Sequence, residues 1–141
     1  GLRFFTVYGP YGRPDMAYYS FTEKMMRNKE ITVFNKGKMS RDMTYIDDII
    51  KGIYSSIHLH QNPGEHEIFN LGNNNPVELW TLIQFLEEAL KKKAKINFLE
   101  ANTEVQTTFA NIDKSCKMLN FKPLTSFEHG MNNFIDWYIN K

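Results

Sequence analysis

Leu2 to Tyr8 is a run of β-forming side chains closed by Gly9-Pro10, and this run constrains the rest of the chain. It reads as a buried strand that begins with the first residues. A chain seldom starts inside a core strand without a tail or a covered edge, so a preceding segment is expected. Pro14-Asp15 then predicts a helix through about Asn28, with Asp15 as its amino-terminal cap and Ala17, Phe21 and Met25 recurring every four residues.

Strand and helix signals alternate along the remainder. Ile31 to Asn35 reads as a strand and Asn35-Lys36-Gly37-Lys38 as a turn. Ile46, Ile49, Ile50, Ile53 and Ile57 fall on one helical face, with Asp47 and Asp48 in the first turn, where the helix dipole favours acids. Glu67 to Leu71 alternates as a strand toward Gly72, and Leu79, Leu82, Ile83, Leu86 and Leu90 mark a second amphipathic helix ending in three lysines. Lys95 to Leu99 reads as a strand and Asp113 to Leu119 as a short helix. Thr125-Ser126-Phe127-Glu128 reads as a capping box opening a last helix. No internal repeat or low-complexity linker divides the sequence, so residues 1–141 are expected to form one α/β domain.

Composition narrows the function classes. Seventeen basic against 16 acidic residues leave a net charge of +1, which points to no nucleic-acid or membrane partner. No apolar stretch approaches the roughly 18 to 20 residues of a membrane span. The first residues lack the layout of a signal peptide, and Cys116 stands alone, so a cytoplasmic setting and no disulfide are expected. His58, His60 and His66 match no zinc spacing, so no metal is expected.

The segment Arg3-Phe-Phe-Thr-Val-Tyr-Gly-Pro-Tyr-Gly-Arg-Pro-Asp-Met-Ala17 closely resembles the one that follows the catalytic tyrosine in UDP-glucuronate 4-epimerases, extended short-chain dehydrogenases/reductases. Arg41-Asp-Met-Thr-Tyr-Ile-Asp-Asp-Ile49, Phe69-Asn-Leu-Gly-Asn73 and Trp137-Tyr138 follow in the family's order, so the resemblance spans the chain. It implies the carboxyl-terminal, substrate-binding portion of such an enzyme, a small mixed sheet with helices. The Rossmann half would be missing and residues 1–10 would be a strand of its sheet. The family binds NAD through a glycine-rich turn and takes a proton with a Tyr-x-x-x-Lys pair. None of the seven tyrosines here has a lysine four residues on, and Gly9-x-x-Gly12 is followed by Asp15 where a third glycine would stand.

The resemblance implies binding roles residue by residue. Thr6 and Arg13 would face the sugar's C6 carboxylate, for which a guanidinium offers bidentate capture. Taken alone, Arg13 reads as an exposed loop cation and Thr6 as an ordinary strand residue. Arg41 would meet the diphosphate, the alternative being a surface salt bridge to Asp42 or Asp47. Phe34, beside Val33, would pack on the uracil ring, the alternative being core packing. Phe5 would lie at the nicotinamide. Asn111 stands where the family usually has an aspartate that accepts hydrogen bonds from the ribose, and the loop from Glu100 to Val105 lacks an expected Gly-Asp-Val. The function expected is C4 inversion of UDP-glucuronate by transient oxidation, with these residues inactive by themselves. A decarboxylase or dehydratase portion, a non-catalytic remnant or a nucleotide-sugar-binding module remain as alternatives. An apolar patch exposed by the missing half, covered by self-association, is also expected.

Overall fold

The computed structural model describes residues 1–59, 65–100 and 105–141. The opening run is not one buried strand. It divides at Phe5 into β1 (Leu2–Phe4) and β2 (Thr6–Tyr8), because the two halves take different partners. β1 pairs in parallel with β5 (Phe69–Leu71), whereas β2 pairs in parallel with β4 (Ser40–Tyr45). The Phe5 amide still donates to the Leu71 carbonyl at 3.2 Å, so the chain leaves one ladder and joins the next within a residue. Phe4 is 50% exposed, and only Tyr8 of the run is fully buried.

β4 also pairs in antiparallel fashion with β6 (Pro76–Glu78), giving a mixed three-stranded sheet in the order β2-β4-β6. A third, two-stranded parallel sheet joins β3 (Ile31–Phe34) to β7 (Ile96–Leu99). Between β3 and β4, Asn35, Lys36 and Gly37 turn with positive φ angles. At Gly37 a Cβ would lie 2.7 Å from Trp80 Nε1, so the position requires glycine for space as well as for conformation.

Among the described residues five α-helices cover the sheets: α1 (Ala17–Met26), α2 (Ile46–Ile57), α3 (Leu79–Leu90), α4 (Asp113–Leu119) and α5 (Phe127–Asn140). Two predicted caps move. Met16 precedes α1 without a side-chain bond, because the Asp15 carboxylate is taken by Arg13. Ser126, not Thr125, caps α5 by accepting from the His129 amide at 3.2 Å. Thr125 instead donates its amide to Asp48 at 2.9 Å, tying the entry of α5 to α2. The buried face of α1 is Tyr18, Phe21, Thr22 and Met25, while Ala17 is exposed.

Two cores result. Tyr8, Tyr18, Ile31, Val33, Met43, Leu86, Met131 and Phe134 belong to one, between the β2-β4-β6 sheet and helices α1, α3 and α5. Ile49, Phe69, Leu71, Ala110, Ile112, Leu119 and Phe121 form the other, with Leu2, Phe5 and Val7 packed against it. The isoleucine face of α2 is wider than the stripe it buries. Ile49 is 2% exposed, but Ile50, Tyr54 and Ile57 are 53%, 65% and 73% exposed.

Candidate functional site

A cavity of about 410 Å³ opens between α1, the carboxyl end of β3 and the β2-β4-β6 sheet. Thr6 enters it from β2, Phe34 from the end of β3 and Arg41 from β4, all partly buried. These three were expected at a substrate, and chain topology brings them together from positions up to 35 residues apart. Val77, Glu78 and Leu79 close one side, and the lining carries both signs of charge, Lys24 and Arg41 with Asp15 and Glu78. Volume and mixed lining fall within the range of small-molecule pockets.

Arg41 is held in place on the cavity wall. Its Nη1 donates to the Val105 carbonyl at 2.7 Å and to its neighbour Ser40 at 3.0 Å. The segment that supplies these acceptors is stapled to the same strand: the Ser40 amide donates to the Gln106 carbonyl at 2.8 Å, and the Thr108 amide to Ser40 at 3.2 Å.

Next along β4, Asp42 is fully buried and anchors the arrangement. Its Oδ1 accepts the Asn73 amide at 2.6 Å, and its Oδ2 accepts the amides of Asn74 at 3.0 Å and Ala110 at 2.7 Å. The loop reaches this carboxylate only because residue 72 is glycine, where a Cβ would lie 2.4 Å from the Ala110 methyl and 3.0 Å from Asp42 Oδ2. Sequence reasoning missed Asp42 except as a surface partner for Arg41. The available signal was an aspartate within a β-forming run, where aspartate is depleted, matched to an Asn-rich loop with amides to offer.

The other expected residues lie elsewhere. Arg13 does not line the cavity; it is exposed and bonded to Asp15, which does line it. That bond holds the Asp15 carboxyl below its usual range and the guanidinium above its own. Asn111 is exposed, and its side-chain oxygen accepts from the Asp113 amide at 3.0 Å in a turn ahead of α4. Phe5 packs against the second core, away from the cavity lining. His60 and residues 101–104 lie outside the described residues.

The glycine-bearing loop after β2 does not fit a pyrophosphate. A Cβ on Gly12 would lie 1.8 Å from the Tyr18 hydroxyl, so the space that this glycine leaves is filled from within the chain. The Tyr18 hydroxyl is buried without a hydrogen bond of good geometry, the Gly9 backbone being the group that bears on it. Three tyrosines shift the wrong way for a base. Burial, first of all, pushes Tyr8, Tyr18 and Tyr138 above the ordinary phenol range. The Tyr8 hydroxyl donates to the Phe127 carbonyl at 3.3 Å, which further commits it to structure.

A profile of the NAD dependent epimerase/dehydratase family matches residues 1–72 of the 141. The chain belongs to that family. Among epimerase relatives, UDP-glucuronate 4-epimerase 1 of Arabidopsis thaliana is 44% identical over 99% of this chain and 36% of its own length. An uncharacterized protein of Methanocaldococcus jannaschii is 47% identical over 99% of this chain and 42% of its own. The crystal structure of UDP-glucuronic acid 4-epimerase from Bacillus cereus, in complex with UDP-glucuronic acid and NAD, superposes with a TM-score of 0.90. It is 34% identical, covering 99% of this chain and 44% of that one. The chain thus spans less than half the length of these relatives. Among the described residues no helix is long and apolar enough to cross a membrane.

Proposed function

We propose that residues 1–141 form the sugar-nucleotide side of an epimerase that inverts C4 of UDP-glucuronate, with NAD held by protein outside these residues. The observation that carries the reading is the convergence of Thr6, Phe34 and Arg41 on one cavity. In this reading the ring of Phe34 packs on the uracil, a contact worth about 1–3 kcal/mol in comparable stacks. Arg41, already fixed on β4, offers charge-assisted hydrogen bonds to the diphosphate. Thr6 and Arg13 meet the C6 carboxylate, Arg13 by turning from Asp15 toward the cavity that Asp15 borders. Bound NAD supplies the hydride chemistry; the residues here bind and orient the sugar and exclude water.

The β1-β5 pair supports a division of this kind. A two-stranded parallel sheet is marginal alone, since parallel strands are ordinarily buried within larger sheets. β1 and β5 are read as strands of a larger Rossmann sheet, which would explain the half-exposed Phe4. Ile50, Tyr54 and Ile57 on α2 would be covered by the same neighbour or by self-association.

Arg13→Leu in the full-length protein tests the reading. Loss of a charge-assisted bidentate contact lowers kcat/KM on UDP-glucuronate by about 10- to 150-fold and leaves binding of UDP-glucose nearly unchanged. Equal losses on both sugars refute the carboxylate role. A second reading, a binding module without catalysis, is favoured by the absence of any Tyr-x-x-x-Lys pair in these residues. UDP-glucuronate that binds the full-length protein but yields no epimer, with unchanged mass, would select it.

A further inference from the structure

The Arg13 guanidinium and the Asp15 carboxylate meet fork to fork, Nε to Oδ1 at 3.1 Å and Nη2 to Oδ2 at 2.5 Å. Both side chains remain open to solvent, at 76% and 63% exposure. Only Asp15 lines the cavity, together with Thr6. The backbone that carries the pair is fixed. Gly9 and Tyr11 hold positive φ angles, Gly12 is pressed on Tyr18, and the Met16 amide donates to the Arg13 carbonyl at 3.2 Å. The guanidinium can therefore leave Asp15 by rotating its own side chain, with no change in the loop.

Resting on the reading of the cavity as a sugar-nucleotide site, we propose that Asp15 is a specificity residue, an internal carboxylate that competes with a sugar acid for Arg13. The exchange is matched: one carboxylate replaces another on the same two-pronged donor, so charge and geometry are conserved. An uncharged sugar has nothing to exchange and leaves Arg13 on Asp15. Asp15 thereby limits how tightly a carboxylated sugar is held, and it takes the guanidinium back when that sugar leaves. Once released, its own charge at the cavity edge opposes the sugar carboxylate and adds to the same effect.

The test is Asp15→Asn in the full-length protein, with UDP-glucuronate and UDP-glucose titrated calorimetrically beside wild type and Arg13→Leu. Asp15→Asn strengthens UDP-glucuronate binding by about two- to fivefold, the scale of an exposed ion pair, and leaves UDP-glucose unchanged. A purely structural role would not move a second readout, the salt dependence of the ratio of the two affinities. That ratio is nearly flat in wild type, where one pair replaces another, and falls with added salt in Asp15→Asn, where a pair is formed outright. Weaker UDP-glucuronate binding, or an equal change for both sugars, overturns the proposal. If Arg13→Leu separates the sugars and Asp15→Asn does not, the competition is refuted while the carboxylate role stands. If Arg13→Leu fails to separate them, the carboxylate role itself fails and the competition with it.

Discussion

Removing the Asp42 carboxylate should cost more than any other single polar change in the described residues, and the cost can be worked from its partners. Asp42→Ala leaves three backbone amides without their acceptor. The Ala110 amide is buried, and an unpaired buried donor costs about 1–3 kcal/mol. Asn73 and Asn74 lie nearer solvent, so water replaces part of what each loses, about 1 kcal/mol apiece. The sum, about 4 kcal/mol, is a large fraction of the roughly 5–15 kcal/mol by which domains are stable. Asp42→Asn is milder. Its single amide oxygen can serve Asn74 and Ala110 where Oδ2 stands, but its NH2 then faces the Asn73 amide, donor against donor. That arrangement costs about 2 kcal/mol.

Urea denaturation of the full-length protein measures the difference. With a slope of about 1–3 kcal/mol per molar, Asp42→Ala shifts the midpoint of the affected unit by roughly 1.3–4 M, and Asp42→Asn by roughly half as much. Hydrogen exchange at the Ala110 amide should accelerate in both variants. Equal midpoints for Asp42→Asn and wild type would show that the carboxylate is not the acceptor for both segments, and the reasoning would fail.

Two further outcomes follow from groups around the cores. Burial raises the Asp48 carboxyl, but the Lys51 ammonium at 2.9 Å and the Thr125 amide outweigh it and hold the group below its usual range. Its folded value lies below the unfolded one, so its contribution is complete above the ordinary carboxylate range, about pH 4. That contribution fades as pH falls through the lowered value. Asp48→Asn should be less stable than wild type at neutral pH, with the gap in thermal midpoint closing at acid pH; a gap constant with pH contradicts this. Tyr18→Phe removes a buried hydroxyl without a good partner, so stability should hold within about 1 kcal/mol or rise, whereas Gly12→Ala, which collides with that hydroxyl, should be strongly destabilising. Comparable losses for the two variants in thermal denaturation would show that the hydroxyl is bonded after all.

What the sequence reveals here follows the range of the forces that decide each element. α4 occupies the predicted Asp113–Leu119, and α3 starts at the predicted Leu79 but stops at Leu90, before the three lysines expected to end it, because local periodicity marks both helices while Lys91 turns left-handed. The division of Leu2 to Tyr8 was not legible, since β5 and β4 lie more than 30 residues away and both pair in parallel. β6 has only three residues and begins with proline, too short for a period to register. Of the residues that resemblance named for a substrate, Thr6, Phe34 and Arg41 line one cavity. Arg13 was expected in contact with the sugar, and in this structure it is bonded to a carboxylate two residues away. Asn111, expected at the ribose, is occupied by the turn before α4. Both competing partners are side-chain bonds within two residues, which residue type alone does not rank.

The two cores explain why a buried carboxylate sits where it does. Met43 and Tyr45 of β4 face the core that underlies the cavity, whereas Leu71 and Ala110, beside the amides that Asp42 accepts, belong to the other. Apolar contacts alone would let the two clusters slide, because hydrophobic packing is non-directional. A charged acceptor with three short amide bonds is directional, and it fixes the loop after β5 and the segment before α4 against β4 at one register. Arg41, one residue away, takes its acceptors from that same segment at Val105. The position of Arg41 on the cavity wall therefore depends on a neighbour that does not line the cavity, and a substitution at Asp42 should loosen the Arg41 contacts along with the fold.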